Sequence, residues 1–202
     1  YYEKTLAINQ QSLPSNHPNL GDSYNNIGNV YYNMGDYPKA LSFHEKALAI
    51  KQQSLPFNHP DLAISYNNIG KMYENMGDYP KALSSHAEAL AIKQQSLRSN
   101  YSDLAMSYNN IGLAYNSMGD YPKALSSHTE ALGVREQSLP SNYPDLGASY
   151  NNIGQVYENM SNYAKAHSFY ERGIQIGEQS LPISHSDLKM YRENLENIKK
   201  KL

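Results

Sequence analysis

The chain has 202 residues, 17 basic and 19 acidic, a formal charge of −2, and no cysteine. This balance leaves no basic footprint for nucleic acid or an anionic membrane, and the missing sulfur excludes disulfides, thiolate nucleophiles and cysteine-held metals. Apolar runs stay far below the roughly 18 residues a membrane span needs, no basic start leads into an apolar stretch as in a secretory signal, and the lack of cysteine fits a cytoplasmic setting better than a secreted one.

Tryptophan is absent while tyrosine appears 19 times at fixed offsets. The segment Tyr24-Asn25-Asn26-Ile27-Gly28 returns at Tyr66, Tyr108 and Tyr150, each 42 residues after the last. In chain order, residues 1–17 match the second half of a repeat, since Tyr1 to Ile8 aligns with Phe43 to Ile50. Residues 18–59, 60–101, 102–143 and 144–185 are four full repeats, and residues 186–202 are a further first half. There Glu196 takes the glycine position and Lys199-Lys200-Lys201 follow, which reads as a charged capping helix or a cut. The start reads as a cut from a longer array.

Each repeat predicts two helices. In the first, helix A, Tyr24, Ile27, Gly28 and Tyr31 fall at i, i+3, i+4 and i+7, one helical stripe. After Met34-Gly35-Asp36-Tyr37-Pro38, helix B carries a second stripe through Ala40, Leu41, His44, Ala47, Leu48 and Ile50. Gly35 suits the left-handed residue that ends helix A, and Pro38 suits the first turn of helix B, where a missing N–H costs little. Helix B should fray near Ser54-Leu55-Pro56, and the next helix A should begin around Pro60-Asp61. Gly28, Ala40 and Ala47 are small enough for the two helices to approach closely.

Tyr24, Ile27, Gly28, Tyr31, Ala40 and His44, with Pro56 late, resemble the tetratricopeptide pattern of Trp-x2-Leu-Gly-x2-Tyr, then Ala-x3-Phe, then Pro. The usual unit is about 34 residues; at 42, with the connector Asn58-His59-Pro60-Asp61-Leu62-Ala63, this one is similar to the repeats of kinesin light chains. The resemblance implies an all-α fold, a right-handed α-solenoid of antiparallel helix hairpins, acting as a non-enzymatic scaffold that holds a protein or peptide.

Helical geometry places a candidate groove opposite the tyrosine-glycine stripe, at about 100° per residue. Its residues are Asp22, Asn26, Asn29 and Asn33; Ile64, Asn68, Lys71 and Asn75; Met106, Asn110, Leu113 and Ser117; and Ala148, Asn152, Gln155 and Asn159. The second place is always asparagine, whose amide carries both a donor and an acceptor and can pair with a peptide backbone. The resemblance to the asparagine ladder of kinesin light chains carries over to Asn26, Asn68, Asn110, Asn152 and, at the end, Asn194. The competing reading is that these amides solvate a concave face or bond the neighbouring helix. For the flanking Asn25, Asn67, Asn109 and Asn151, which lie nearer the helix interface, the two readings are balanced. Tetratricopeptide clamps for acidic carboxyl tails need several inward bases, and only Lys71 is available here, so that clamp is expected to be missing.

His44, His86 and His128 recur in helix B where the fourth repeat has Tyr170, and read as packing residues. Metal ligands must converge at about 2 Å on one ion, whereas these lie a repeat apart, so no metal or cofactor is expected. His17, His59 and His185 belong to connectors. Tyr24, Tyr66, Tyr108 and Tyr150 read as core, not as a stacking platform for bases. No phosphate loop, His-Glu-x-x-His motif or nucleophile elbow occurs. Deviations from the repeat (Arg98 for proline, Ser161 for glycine, His167 for leucine) are scattered, and the sequons at Asn100 and Asn159 are read as chance. Besides the binding scaffold, two alternatives stand: a regulatory or oligomerising appendage of a larger multidomain enzyme or receptor, and a self-associating unit using exposed terminal helices.

Overall fold

A computed structural model describes residues 2–96, 100–140 and 143–202. The chain divides into two compact units, Tyr1–Ser99 and Asn100–Leu202. The first holds α1 (Tyr2–Ser12), α2 (Pro18–Asn33), α3 (Tyr37–Ser54), α4 (Pro60–Asn75) and α5 (Tyr79–Gln95). The second holds α6 (Tyr101–Ser117), α7 (Tyr121–Ser138), α8 (Pro144–Asn159), α9 (Tyr163–Ser180) and α10 (Ser186–Lys199). Among the described residues there is no strand. The fold is an all-α helical-repeat solenoid. In each unit a helix A packs on its own helix B as a hairpin, and each B packs on the next A.

The turn chemistry explains where helices stop. Gly35, Gly77 and Gly119 sit at φ +77°, in the left-handed region that lets the chain leave helix A, and in the fourth repeat Ser161 takes that conformation at φ 58°. One residue on, Asp36, Asp78, Asp120 and Asn162 accept the backbone N–H of Lys39, Lys81, Lys123 and Lys165 at 3.3–3.4 Å and start helix B. The connector histidines have a similar task. Nδ1 of His17, His59 and His185 accepts the N–H of Asn19, Asp61 and Asp187, capping α2, α4 and α10.

The core lies at the hairpin seams. Ala40, Ala82, Ala124 and Ala166 are fully buried, as is Ala47, so the helices meet on small side chains. In the second unit Leu132, Leu146, Ile153 and Ile176 form one cluster and Ala166, Tyr170, Leu195 and Ile198 another. Along the α7–α8 joint, the half-buried Arg135 donates to Ser149 Oγ at 2.6 Å. Forty-two residues later the corresponding pair is Gly177 and Tyr191, whose ring occupies the room an arginine stem would need. Burial, then the carboxylates of Asp187 and Asp145, push the Tyr191 hydroxyl up to about 12.

Candidate binding face

The glycine of helix A and the aromatic place of helix B fix how each helix is rotated. A Cβ on Gly28 would lie 2.9 Å from the ring of His44, and one on Gly70 or Gly112 would lie 2.6–2.7 Å from His86 or His128. Each imidazole therefore lies flat on a glycine, 1 % exposed. Burial pushes the His44 and His128 imidazoles down to about 4, with Arg135 adding to the effect at His128, so both rings are neutral at physiological pH. In the fourth repeat Tyr170 rests on Gly154 and its hydroxyl donates to Glu158 at 2.8 Å, burial and that carboxylate raising its pKa.

With the seam fixed, the opposite side of each helix A is presented outward. Asp22, Asn26, Asn29 and Asn33 are exposed, as are Ile64, Lys71 and Asn75, while Asn68 is half-buried. In the second unit Met106, Leu113, Ser117, Gln155 and Asn159 are exposed, and Asn110, Ala148 and Asn152 half-buried. Within each unit the amides are tied together. Asn68 Nδ2 donates to Asn25 Oδ1 at 3.0 Å, Asn152 to Asn109 at 2.8 Å, and Asn194 to Asn151 at 3.0 Å. The neighbouring-helix bonding weighed against the ladder is thus present for one amide hydrogen of each donor. The second N–H and the Oδ1 lone pairs remain as chemistry a ligand could use. A second rung joins Asn159 Nδ2 to Asn116 Oδ1 at 2.9 Å. Asn75 turns back onto the Lys71 carbonyl, and the Lys71 ammonium lies 4.6 Å from the centre of the Tyr32 ring.

These bonds give the Asn-Asn doublet a division of labour. Within each unit the second asparagine, at Asn68, Asn152 and Asn194, donates backwards, and the first, at Asn25, Asn109 and Asn151, accepts from the repeat that follows. Asn25 Oδ1 also lies 3.0 Å from His44 Nδ1, and Asn67 Oδ1 lies 3.1 Å from His86 Nδ1, contacts in which the ring donates Nδ1–H to the amide oxygen. Asn25 therefore couples its own hairpin seam to the next repeat. Sequence reasoning put the first asparagine near the interface and the second in the groove but missed this handover; the signal was their invariance as a pair, since one exposed amide would need no fixed neighbour.

The tyrosines at the start of the stripe are half-buried rather than sealed in the core. Their rings pack inward and their hydroxyls reach the helix B before them: Gln10 donates to Tyr24 and Gln52 to Tyr66, each at 3.0 Å, and Tyr150 donates to Glu136 at 2.8 Å. Among the described residues no three His, Asp or Glu side chains converge on a shared point, and no helix is long and apolar enough to cross a membrane.

The repeat signature is that of a known family. A tetratricopeptide repeat pattern matches residues 1–53 and 103–179, and a second one matches residues 62–98. The chain belongs to the tetratricopeptide repeat family, a protein-interaction type of scaffold. Among curated proteins no sequence match was found. Among solved structures it is similar to nearly identical TPR-like repeats of a kinesin light chain from Podosopora anserina, at 23% identity and TM-score 0.76, over 87% of this chain and 83% of that one. BtubC (BKLC) from P. vanneervenii is similar at 22% identity and TM-score 0.78, over 91% and 73%. Aspartyl phosphate phosphatase F from Bacillus subtilis is similar at 18% identity and TM-score 0.79, over 98% of this chain but 49% of that one. At these identities the likeness is one of fold.

Proposed function

We propose that the chain is a cytoplasmic, non-enzymatic binding module that holds an extended segment of a partner protein on the outward faces of its A helices. The observation that carries this reading is the outward or half-buried row of asparagines, Asn26 and Asn68 in the first unit and Asn110 and Asn152 in the second, with Asn194 at the same place in α10. Neighbouring A helices pack about 8–10 Å apart, close to the span of three extended residues at about 3.3 Å each. Within each unit one amide thus meets roughly every third ligand residue and reads its backbone, not its sequence. Asn29, Asn33, Lys71, Asn75, Leu113, Gln155 and Asn159 flank the row and supply side-chain selectivity.

The test compares the intact chain with Asn68→Ala/Asn110→Ala/Asn152→Ala as affinity bait, followed by synthesis of the captured segment and titration of both proteins with it. A loss of at least tenfold in affinity is expected, about 1.4 kcal/mol, with helicity unchanged. Equal affinity of the two proteins for that segment, or captured partners common to both baits, would remove the amide row from the mechanism.

A further inference from the structure

The outward places of the A helices differ in charge between the two units. On α2 and α4 they include Asp22, paired with Lys51 at 3.0 Å, and Lys71. On α6, α8 and α10 the corresponding places hold methionine, leucine, alanine, serine and amides, and their one ionisable group, Lys201, is taken by Glu158 at 2.9 Å. On the border of this face stand Asp103, Asp145 and Asp187, a turn nearer the helix starts, and Glu193, beside Asn194.

The uncharged side chains are also ordered. One turn before the amides Asn110, Asn152 and Asn194 stand Met106, Ala148 and Met190, a lane parallel to the amide row. Met106 and Met190 are 45 % and 44 % exposed, and Ala148 between them is half-buried. On the other flank of the amides stand Leu113, Gln155 and Asn197, all exposed. The bonds from Asn152 to Asn109 and from Asn194 to Asn151 hold α6, α8 and α10 in this order.

We infer that this face takes an extended partner segment that has no charge and carries an apolar side chain at every second residue. The inference rests on backbone pairing with the amide row and adds to it what the side chains must be. From α6 to α10 is two helix spacings, about 16–20 Å, and six steps of an extended chain at about 3.3 Å each cover about 20 Å. Alternate side chains of a strand point to one side, so a residue over Met106 and the residue six later, over Met190, both face the lane. The two between them on that side straddle Ala148, whose short side chain leaves them room. Methionine is flexible and polarisable and adapts to apolar groups of different shape. A carboxylate laid on this lane would lose hydration against thioethers and meet only carboxylates at the border; an ammonium would have to reach past the lane to find one.

The whole chain, labelled with methyl-13C methionine, is titrated with acetyl-Leu-Ser-Ala-Gln-Ala-Ser-Leu-amide and with the same peptide carrying Glu or Lys in place of both leucines. Saturable NMR shifts are expected, largest at Met106 and Met190 among the chain's seven methionines, and both charged peptides should bind at least about tenfold more weakly. Met106→Glu/Met190→Glu, on an exposed lane, leaves the core untouched and should weaken the leucine peptide by about tenfold, while Met106→Leu/Met190→Leu keeps it within about twofold. No saturation up to about 10 mM leucine peptide, or a charged peptide binding as tightly as the leucine one, would overturn the inference. Asn152→Ala, titrated in parallel, separates it from the amide reading: a tighter charged peptide that still loses affinity in this variant leaves the amide row standing alone. Leucine-peptide binding indifferent to Asn152→Ala would remove the amide row, and with it the strand register that depends on it.

Discussion

Replacing Gly70 by alanine puts a methyl group 2.6 Å from Cε1 of His86 and 2.8 Å from both of its ring nitrogens. The ring cannot swing away, because it is 1 % exposed and its Nδ1 is held by Asn67. Overpacking of this kind costs about 1–3 kcal/mol, against which alanine's better helix propensity returns about 1 kcal/mol. The net is a destabilisation of up to about 2 kcal/mol. Two other glycines calibrate it. Gly133, inside α7, has nothing within 4 Å of a built Cβ, so Gly133→Ala should stabilise by about 0.5–1 kcal/mol. Gly77 is equally open but sits at φ +77°, so Gly77→Ala should cost about 1 kcal/mol through the backbone alone. Urea unfolding followed by far-UV circular dichroism measures all three, with stability read from midpoints at constant slope. His86→Ala should abolish the extra cost of Gly70→Ala, a coupling that a double-mutant cycle isolates. If Gly70→Ala matches Gly133→Ala, or its cost survives removal of the ring, the glycine is not there to seat the histidine.

The buried imidazoles give the fold an acid dependence of known sign. His44 and His128 titrate at about 4 when folded but near 6.5 when unfolded, so the unfolded chain takes up protons first as pH falls from about 6.5. Stability is full above that value and drops by about 3 kcal/mol per ring by the time pH passes about 4; His44→Tyr and His128→Tyr, which copy Tyr170, should flatten the difference between unfolding at neutral pH and at pH near 4. Asn109→Ala deprives Asn152 of its acceptor and should cost about 1 kcal/mol, whereas Asn29→Ala, on the open surface, should leave the urea midpoint unchanged; a non-additive Asn109→Ala/Asn152→Ala pair confirms the bond.

Most of the fold was legible because its determinants are local and repeated. The Tyr24, Ile27, Gly28, Tyr31 stripe, the left-handed Gly35 and the Pro38 start lie within 15 residues of one another, and the same signals recur at each period. What the sequence left open is what depends on a neighbour 43 residues away: whether Asn68 reaches Asn25 or only points outward is set by the rotation of α4 against α2, which no single helix encodes. The capping use of His17, His59 and His185 escaped because histidine is an unusual helix cap, and its spacing to the next helix had seemed mere connector.

The exchange of Arg135 and Ser149 for Gly177 and Tyr191 bears on how a chain of near-copies avoids joining the wrong halves. Docked on α7, α10 would drive its tyrosine ring into the half-buried stem of Arg135; docked on α9, α8 would set a lone serine over a glycine and leave a void. The joint of α9 and α10 therefore carries a key and lock unlike the others, and a transiently detached α10 returns to the seat it left.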